Sequence, residues 1–275
     1  MVLGSDIAAR QGAYPGMHAF ELKGGILYGP IPSRRLGFSL GVNILPLDVK
    51  VCTWDCLYCQ CGWTDRGVDQ AKVDPARFPS IPTLAAAFDE GFAELARQGK
   101  RPESVTLSGN GEPTLHPRFE EAVDALIRAR DRHLPGAKTS ILSNGERLGE
   151  AGIRSAFDRL DIRCLKLDAG DERTTALLDR PLTPFDMKRH LENLKRLKRV
   201  TIQAFFAQGA VDNTTPEAVT AWLACLKEVR PAGVHLYSLD RVPPAKGLRK
   251  VPPEALEAIA GRVRGEVGVD AQVFA

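Results

Sequence analysis

The chain has 275 residues, 44% hydrophobic and 26% charged, ordinary values for a globular protein that buries a large core. Lysine plus arginine number 37 against 34 aspartate plus glutamate, and a net charge of +3 makes no case for nucleic-acid binding beyond a local basic patch. No apolar run approaches the roughly 20 residues that span a bilayer. Nothing at the N-terminus resembles a signal peptide, so a cytoplasmic protein without membrane association is expected.

Residues 1–27 carry scattered glycines without clear periodicity and read as an extension, with short edge strands expected at 19–22 and 25–28. Residues 28–37 form a turn-rich lead-in, Tyr28-Gly29-Pro30-Ile31-Pro32-Ser33-Arg34-Arg35-Leu36-Gly37. Leu40, Val42 and Ile44 alternating with Gly41 and Asn43 predict a strand over 39–45. The loop 46–82 then holds Cys52, Cys56, Cys59 and Cys61, and a connection that long in a compact domain marks function. Leu84, Phe88, Phe92 and Leu95 predict a helix ending near Gly99, and a strand at 104–108 opens into Gly109-Asn110-Gly111-Glu112-Pro113-Thr114. Helices are expected at 119–132, 149–158, 184–197 and 216–228, alternating with strands at 138–142, 163–167, 200–205 and 234–238. Six strand–helix units predict a parallel sheet curved by right-handed crossovers into a partial (β/α)6 barrel, an open TIM-like α/β fold. A helix at 254–264 and a strand at 271–274 follow. The organisation is thus 1–37 extension and lead-in, 38–241 barrel and 242–275 tail.

Strand alternation sorts the side chains. Val105, Leu107, Leu165, Leu167, Val200, Ile202, Val234 and Leu236 face the outer helices. Asn43, Thr106, Ser108, Cys164, Lys166, Asp168, Thr201, Gln203, Phe205, His235 and Tyr237 face inward. Closed eight-stranded barrels fill their interior with branched apolar residues, whereas this interior is polar and calls for a polar ligand. Lys166 and Asp168, two apart on one strand, are expected to pair near its C-terminal mouth as catalytic residues. His18, His116, His133 and His190 show no metal-ligand spacing, Cys225 reads as core, and the basic run from Lys188 to Arg199 reads as a solvated face. Arg241, just beyond the last barrel strand, is a candidate for ligand contact.

Cys52, Cys56 and Cys59 stand as C-x3-C-x2-C, a spacing that wraps three thiolates around one inorganic centre. An iron–sulfur cubane takes one thiolate per iron, so three leave an iron open to a chelating small molecule. With Cys61 as fourth ligand, an electron-transfer cluster or a structural zinc site are alternatives. A single residue between Cys59 and Cys61 is short for zinc.

With Tyr58 at the aromatic position before the third cysteine, the loop resembles that of the radical S-adenosylmethionine (SAM) superfamily. The lead-in Gly29-Pro30-Ile31-Pro32-Ser33-Arg34-Arg35-Leu36-Gly37 and Leu40-Gly41-Val42-Asn43 is similar to that of uncharacterised Fe–S oxidoreductases related to the wyosine-forming tRNA enzymes. The likeness spans about residues 28–241. It implies a [4Fe–4S] cluster on Cys52, Cys56 and Cys59, and SAM chelated to the open iron and cleaved to a 5′-deoxyadenosyl radical that abstracts hydrogen from a substrate. It further implies that Gly109, Asn110, Gly111 and Glu112 contact the SAM amino group, with Asn110 where the family has glycine. Tyr58, Ser143, Asn144, Asp168 and Gln203 are implied near the rest of SAM. An electron donor such as flavodoxin or ferredoxin is implied as partner, with a tRNA base or a protein as substrate candidates.

Overall fold

The computed structural model describes residues 22–67 and 69–275. The strand expected at 19–22 lies outside them except for Leu22, as does His18 entirely. Ten strands are present among the described residues: β1 (Leu27–Ser33), β2 (Gly37–Val42), β3 (Ser104–Leu107), β4 (Lys138–Ser143), β5 (Ile162–Lys166), β6 (Val200–Phe205), β7 (Gln208–Gly209), β8 (Gly233–Tyr237), β9 (Leu248–Arg249) and β10 (Ala271–Phe274). Eight form one sheet in the order β1-β2-β3-β4-β5-β6-β8-β10, in which β1 is antiparallel to β2 and all other neighbours are parallel. β7 and β9 form a separate antiparallel ladder. The sequential strand order, with β1 and β10 left as edges, is the expected open half-barrel.

The helices are α1 (Ile81–Arg97), α2 (Phe119–His133), α3 (Ala151–Asp158), α4 (Glu172–Leu178), α5 (Met187–Lys195), α6 (Pro216–Val229) and α7 (Pro253–Arg262). Ser80, Asp171, Asp186 and Thr215 start α1, α4, α5 and α6 by accepting a backbone N–H from the first turn. None of the described helices is long and apolar enough to cross a membrane. The main core lies between the sheet's outer face and the helices. There Val42, Val105, Leu107, Leu165, Leu167, Ile202, Val234 and Leu236 meet Leu84, Phe88, Phe92, Leu126, Leu194 and Trp222, each fully buried side chain being worth about 1.5–3 kcal/mol. Cys225 belongs to that core.

Three segments differ from the sequence reading. The lead-in expected as turns is mostly the edge strand β1, because an edge tolerates the missing N–H groups of Pro30 and Pro32. α4 occupies a stretch with no predicted helix; only Thr175 and Leu178 are buried there, too few for a readable apolar period. The expected 184–197 helix begins at Met187, where Asp186 caps it.

The β1–β2 hairpin reaches across the open side of the barrel. Arg34 donates to the Ala275 carbonyl at 2.9 Å and pairs with Asp240 at 3.3 Å. Arg35 turns inward, donating to Gln203 Oε1 at 3.2 Å with its guanidinium 4.4 Å from the Tyr237 ring centroid. Deeper in, Ser39, Thr106 and Ser140 bond in a row across β2, β3 and β4 at 2.8 and 2.6 Å.

His235 also faces inward, against Phe274. Burial, reinforced by the Arg35 charge, lowers its pKa from 6.5 to about 4. The unfolded chain therefore binds a proton that the native state refuses, so stability present above pH 6.5 is lost as pH falls toward about 4. Urea unfolding of His235→Gln should show a flatter pH dependence across that window than the wild type. Parallel curves would mean that His235 does not titrate there.

Candidate functional site

The cysteine loop is stitched to the C-terminal ends of three central strands. After β3, Val51 N–H donates to the Asn110 carbonyl at 2.8 Å and Glu112 N–H to the Val51 carbonyl at 2.9 Å. Gly109 and Gly111 permit this approach: their φ values are +148° and +136°, and a Cβ would overlap Asn43 at the first and the Val51 carbonyl at the second. After β4, Asn144 Nδ2 donates to Thr53 Oγ1 at 2.9 Å. After β5, the Leu57 and Asp55 N–H groups donate to the carbonyls of Leu178 (2.9 Å) and Asp179 (3.1 Å). Three anchors hold the short loop over the mouth.

Cys52, Cys56, Cys59 and Cys61 are all half-buried free thiols. Among them lies Lys50, only 5% exposed, with Nζ donating to the Gly62 carbonyl at 2.8 Å. Burial alone would lower the Lys50 pKa, but the negative charge available on Cys59, Cys52 and Cys56 reverses this and raises it. Burial pushes the Cys52 thiol up to about 12 and also raises Cys56, with the Asp179 charge adding to it there. Cys59 is lowered by a hydrogen bond from Cys61, against burial and with help from Lys50, and Cys61 is raised in turn. The single S–H of Cys61 is shared with the Gly109 carbonyl, which lies 3.1 Å from Sγ.

Glu112 ties the ends of β3 and β4 together. Its buried carboxylate accepts from Thr114 N–H (3.1 Å), Thr114 Oγ1 (2.7 Å), Ser143 Oγ (2.8 Å) and Asn144 N–H (2.7 Å). Burial raises its pKa despite those donors. Asn110, fully buried, spends its amide on the Lys23 backbone and the Pro46 carbonyl. Glu112→Gln places an NH2 group against donors and should cost about 1.5–3 kcal/mol, the worth of a hydrogen bond to a charged group. Denaturant unfolding reads that loss; a variant as stable as wild type would show the carboxylate charge to be dispensable for the loop.

The predicted interior pair is where alternation put it. Lys166 Nζ lies 2.9 Å from Asp168 Oδ1 and donates to Tyr237 Oη at 2.6 Å. Phe205 N–H donates to the same Asp168 oxygen at 2.7 Å, and Tyr58 donates to the other. Tyr58 stacks on Phe205 with centroids 3.8 Å apart. Its hydroxyl also lies 2.9 Å from Asp179 Oδ1. One phenol proton cannot serve both carboxylates, so the second contact needs a proton on Asp179. Burial and the nearby Asp168 charge push the Asp179 carboxyl well above the usual range, which supplies it. Burial would lower the Lys166 pKa, but Asp168 holds it raised. Asp179 Oδ2, Gln203 Nε2 and His235 Nδ1 are buried without partners.

Residues 48–220 match the sequence profile of the radical SAM superfamily. The chain belongs to the radical SAM superfamily. It is 31% identical over 224 residues to a UPF0026 protein of Helicobacter pylori, covering 78% of this chain and 67% of that protein. It is 28% identical over 176 residues to the S-adenosylmethionine-dependent nucleotide dehydratase RSAD2 of Siniperca chuatsi, covering 54% and 48%. In fold it is similar to a radical SAM methyltransferase from Sphaerobacter thermophilus, with a TM-score of 0.62 and 15% identity, covering 86% of this chain and 65% of that one. The structure of TYW1 with a lysine-pyruvate adduct bound superposes at 0.56, over 82% and 73%.

The cofactors of a radical SAM protein are a [4Fe–4S] cluster and SAM, and the donors present fit them. Among the described residues, no three Cys, His, Asp or Glu side chains converge as ligands of one metal ion. Cys52, Cys56 and Cys59 are free thiols on one loop, the soft sulfur donors that an iron–sulfur cubane takes, one per iron. The orphaned polar atoms of the interior suit a polar ligand. Of the residues predicted for the site, Tyr58, Lys166 and Asp168 form one network and Glu112, Ser143 and Asn144 another. Gly109 and Gly111 line the loop anchor, and Gln203 lies deeper, on Arg35. Arg241 is exposed. Sequence reasoning missed Lys50, two residues before the first cysteine, and Asp179, at the end of a helix it did not see.

Proposed function

We propose that this protein is an oxidoreductase in which a [4Fe–4S] cluster and SAM supply a 5′-deoxyadenosyl radical that abstracts hydrogen from a polar substrate at the barrel mouth. The observation that carries this reading is the cysteine loop itself, held by three strand ends over a polar interior whose buried donors and acceptors are not all satisfied. Cys52, Cys56 and Cys59 would hold the cluster, and Cys61, engaged with the Gly109 carbonyl, stands outside the ligand set. Gly109, Asn110, Gly111, Glu112, Ser143 and Asn144 shape the SAM cradle, in which Glu112 keeps the two strand ends at a fixed spacing. Tyr58, Asp168 and Gln203 face the ribose or the substrate. Lys166 and the Asp179 carboxyl are the groups placed to hold or release a proton at the mouth.

A cytoplasmic location and an electron donor such as flavodoxin or ferredoxin complete the reading. The nucleotide dehydratase among the relatives acts, by its name, on a nucleotide, which supports a nucleotide or tRNA base over a protein as substrate. Reconstituted protein given SAM and dithionite should release 5′-deoxyadenosine and methionine. An intact cluster with no SAM cleavage would return the chain to the electron-transfer class.

A further inference from the structure

We propose that the recess beside the cysteine loop is an anion subsite that takes a phosphate group of the substrate, an inference that rests on the radical SAM reading and adds a binding determinant to it. The recess, of about 480 Å³, is lined by Asp55, Trp63, Thr64, Arg66, Arg180 and Lys246. That is the size of a small-ligand site with an aromatic wall and a few convergent polar groups.

The charges point to an anion. The buried Asp55 carboxylate pairs with Arg66 at 3.4 Å and Arg180 at 3.3 Å. Its Oδ1 also accepts from Thr64 N–H at 2.7 Å. One carboxylate thus serves two of the three cations that line the recess, and Lys246 is not paired with it. The guanidinium of Arg180 lies 5.0 Å from the Trp63 ring centroid, and the Trp63 indole N–H is buried with no acceptor. Phosphate answers these groups better than a carboxylate, since its oxygens can take two arginine forks and an ammonium together.

The backbone adds a second observation. Arg180 sits at φ +49°, in the left-handed region that a side chain avoids, although a glycine there would be free of strain. Arg180 follows the C-cap of α4 in this conformation, as Arg230 ends α6, and the turn fixes where its side chain leaves the backbone. The strain is held by Arg180 N–H donating to the Thr175 carbonyl at 3.2 Å and Asp55 N–H donating to the Arg180 carbonyl at 3.2 Å. Those bonds fasten the recess to the cysteine loop, because Asp55 lies between Cys52 and Cys56, while Asp179, one residue earlier, reaches Tyr58. A phosphate anchored here leaves the rest of its molecule beside the mouth.

Inorganic pyrophosphate is the probe, titrated into the cluster-loaded protein while tryptophan fluorescence is followed, with Trp63→Phe assigning the signal. Saturable binding is expected, about tenfold weaker in Lys246→Ala and in Arg66→Ala and weaker still with both, and reduced by rising salt. Circular dichroism establishes that each variant is folded, and both side chains are exposed enough to be removed without opening the core. Wild-type protein that binds no pyrophosphate, or variants that bind it as well as wild type, overturn the subsite. So does an absence of pyrophosphate binding accompanied by slower reduction of Lys246→Ala by flavodoxin, which would make the recess a protein-docking face. 5′-Deoxyadenosine release from the same wild-type preparation is scored separately. SAM cleavage without pyrophosphate binding removes the subsite alone, and pyrophosphate binding without SAM cleavage removes the radical reading alone.

Discussion

Cys56→Ser is expected to leave reconstitution with almost no iron and to release no 5′-deoxyadenosine. Cys56 is one of the three thiols proposed to hold the cluster, and its loss would leave two protein ligands in place of three. Burial, with the Asp179 charge beside it, also raises the pKa of its thiol, so metal binding there has to displace a proton. Cys61→Ser should behave otherwise. The Cys61 thiol donates to the Gly109 carbonyl, a bond that a serine hydroxyl can reproduce, so iron content and SAM cleavage should remain near wild type. Iron and sulfide analysis with the EPR spectrum of the reduced protein, with and without SAM, reads both outcomes. Loss of the cluster in Cys61→Ser would make the site a four-cysteine one and remove the open iron on which SAM chemistry depends.

Lys166→Met should be the most destabilising of the interior substitutions. The Lys166 side chain is 15% exposed and that of Asp168 is fully buried. Removing one partner of such a pair typically costs about 3–5 kcal/mol. Met would leave the buried Asp168 carboxylate without its cation, beside the Tyr58 phenol and the Asp179 carboxyl. Asp168→Asn should cost less, because its amide oxygen can still accept from Phe205 N–H and Lys166 keeps Tyr237. Both variants should retain iron and lose 5′-deoxyadenosine formation or substrate turnover per folded molecule. Urea unfolding and a per-folded-molecule rate separate the two roles: a variant that is destabilised but turns over at the full rate makes the pair a brace of the barrel and nothing more.

Much of this architecture was legible because each signal was local. Strand alternation put Lys166 and Asp168 inside and Leu165 and Leu167 outside. The cysteine spacing and Tyr58 marked the loop, and the glycines after the next strand marked its anchor. What stayed hidden depends on approach between distant segments. Asp179 comes to Tyr58 only through the turn after α4, whose short helix has no apolar stripe to announce it. Lys50 reads as one more surface lysine until the loop folds around it. Glu112 was assigned to SAM from its place in a motif, whereas its four donors, on Thr114 in the turn after β3 and on Ser143 and Asn144 at the end of β4, show that it also holds the cradle's frame. The recess of Arg66, Arg180 and Lys246 draws on segments spread over most of the barrel, and no window of sequence contains it.

The prolines of β1 have a consequence outside catalysis. A half-barrel, unlike a closed one, ends in exposed strand edges, and an exposed edge is a template on which another chain can add a strand. Pro30 and Pro32 remove two N–H groups from the seven-residue outer strand, and the register shift between Tyr28 and Ile31 bends what remains. Such an edge makes a poor nucleus for aggregation. That bears most on protein not yet loaded with its cluster, whose cysteine loop is held only by its bonds to the strand ends.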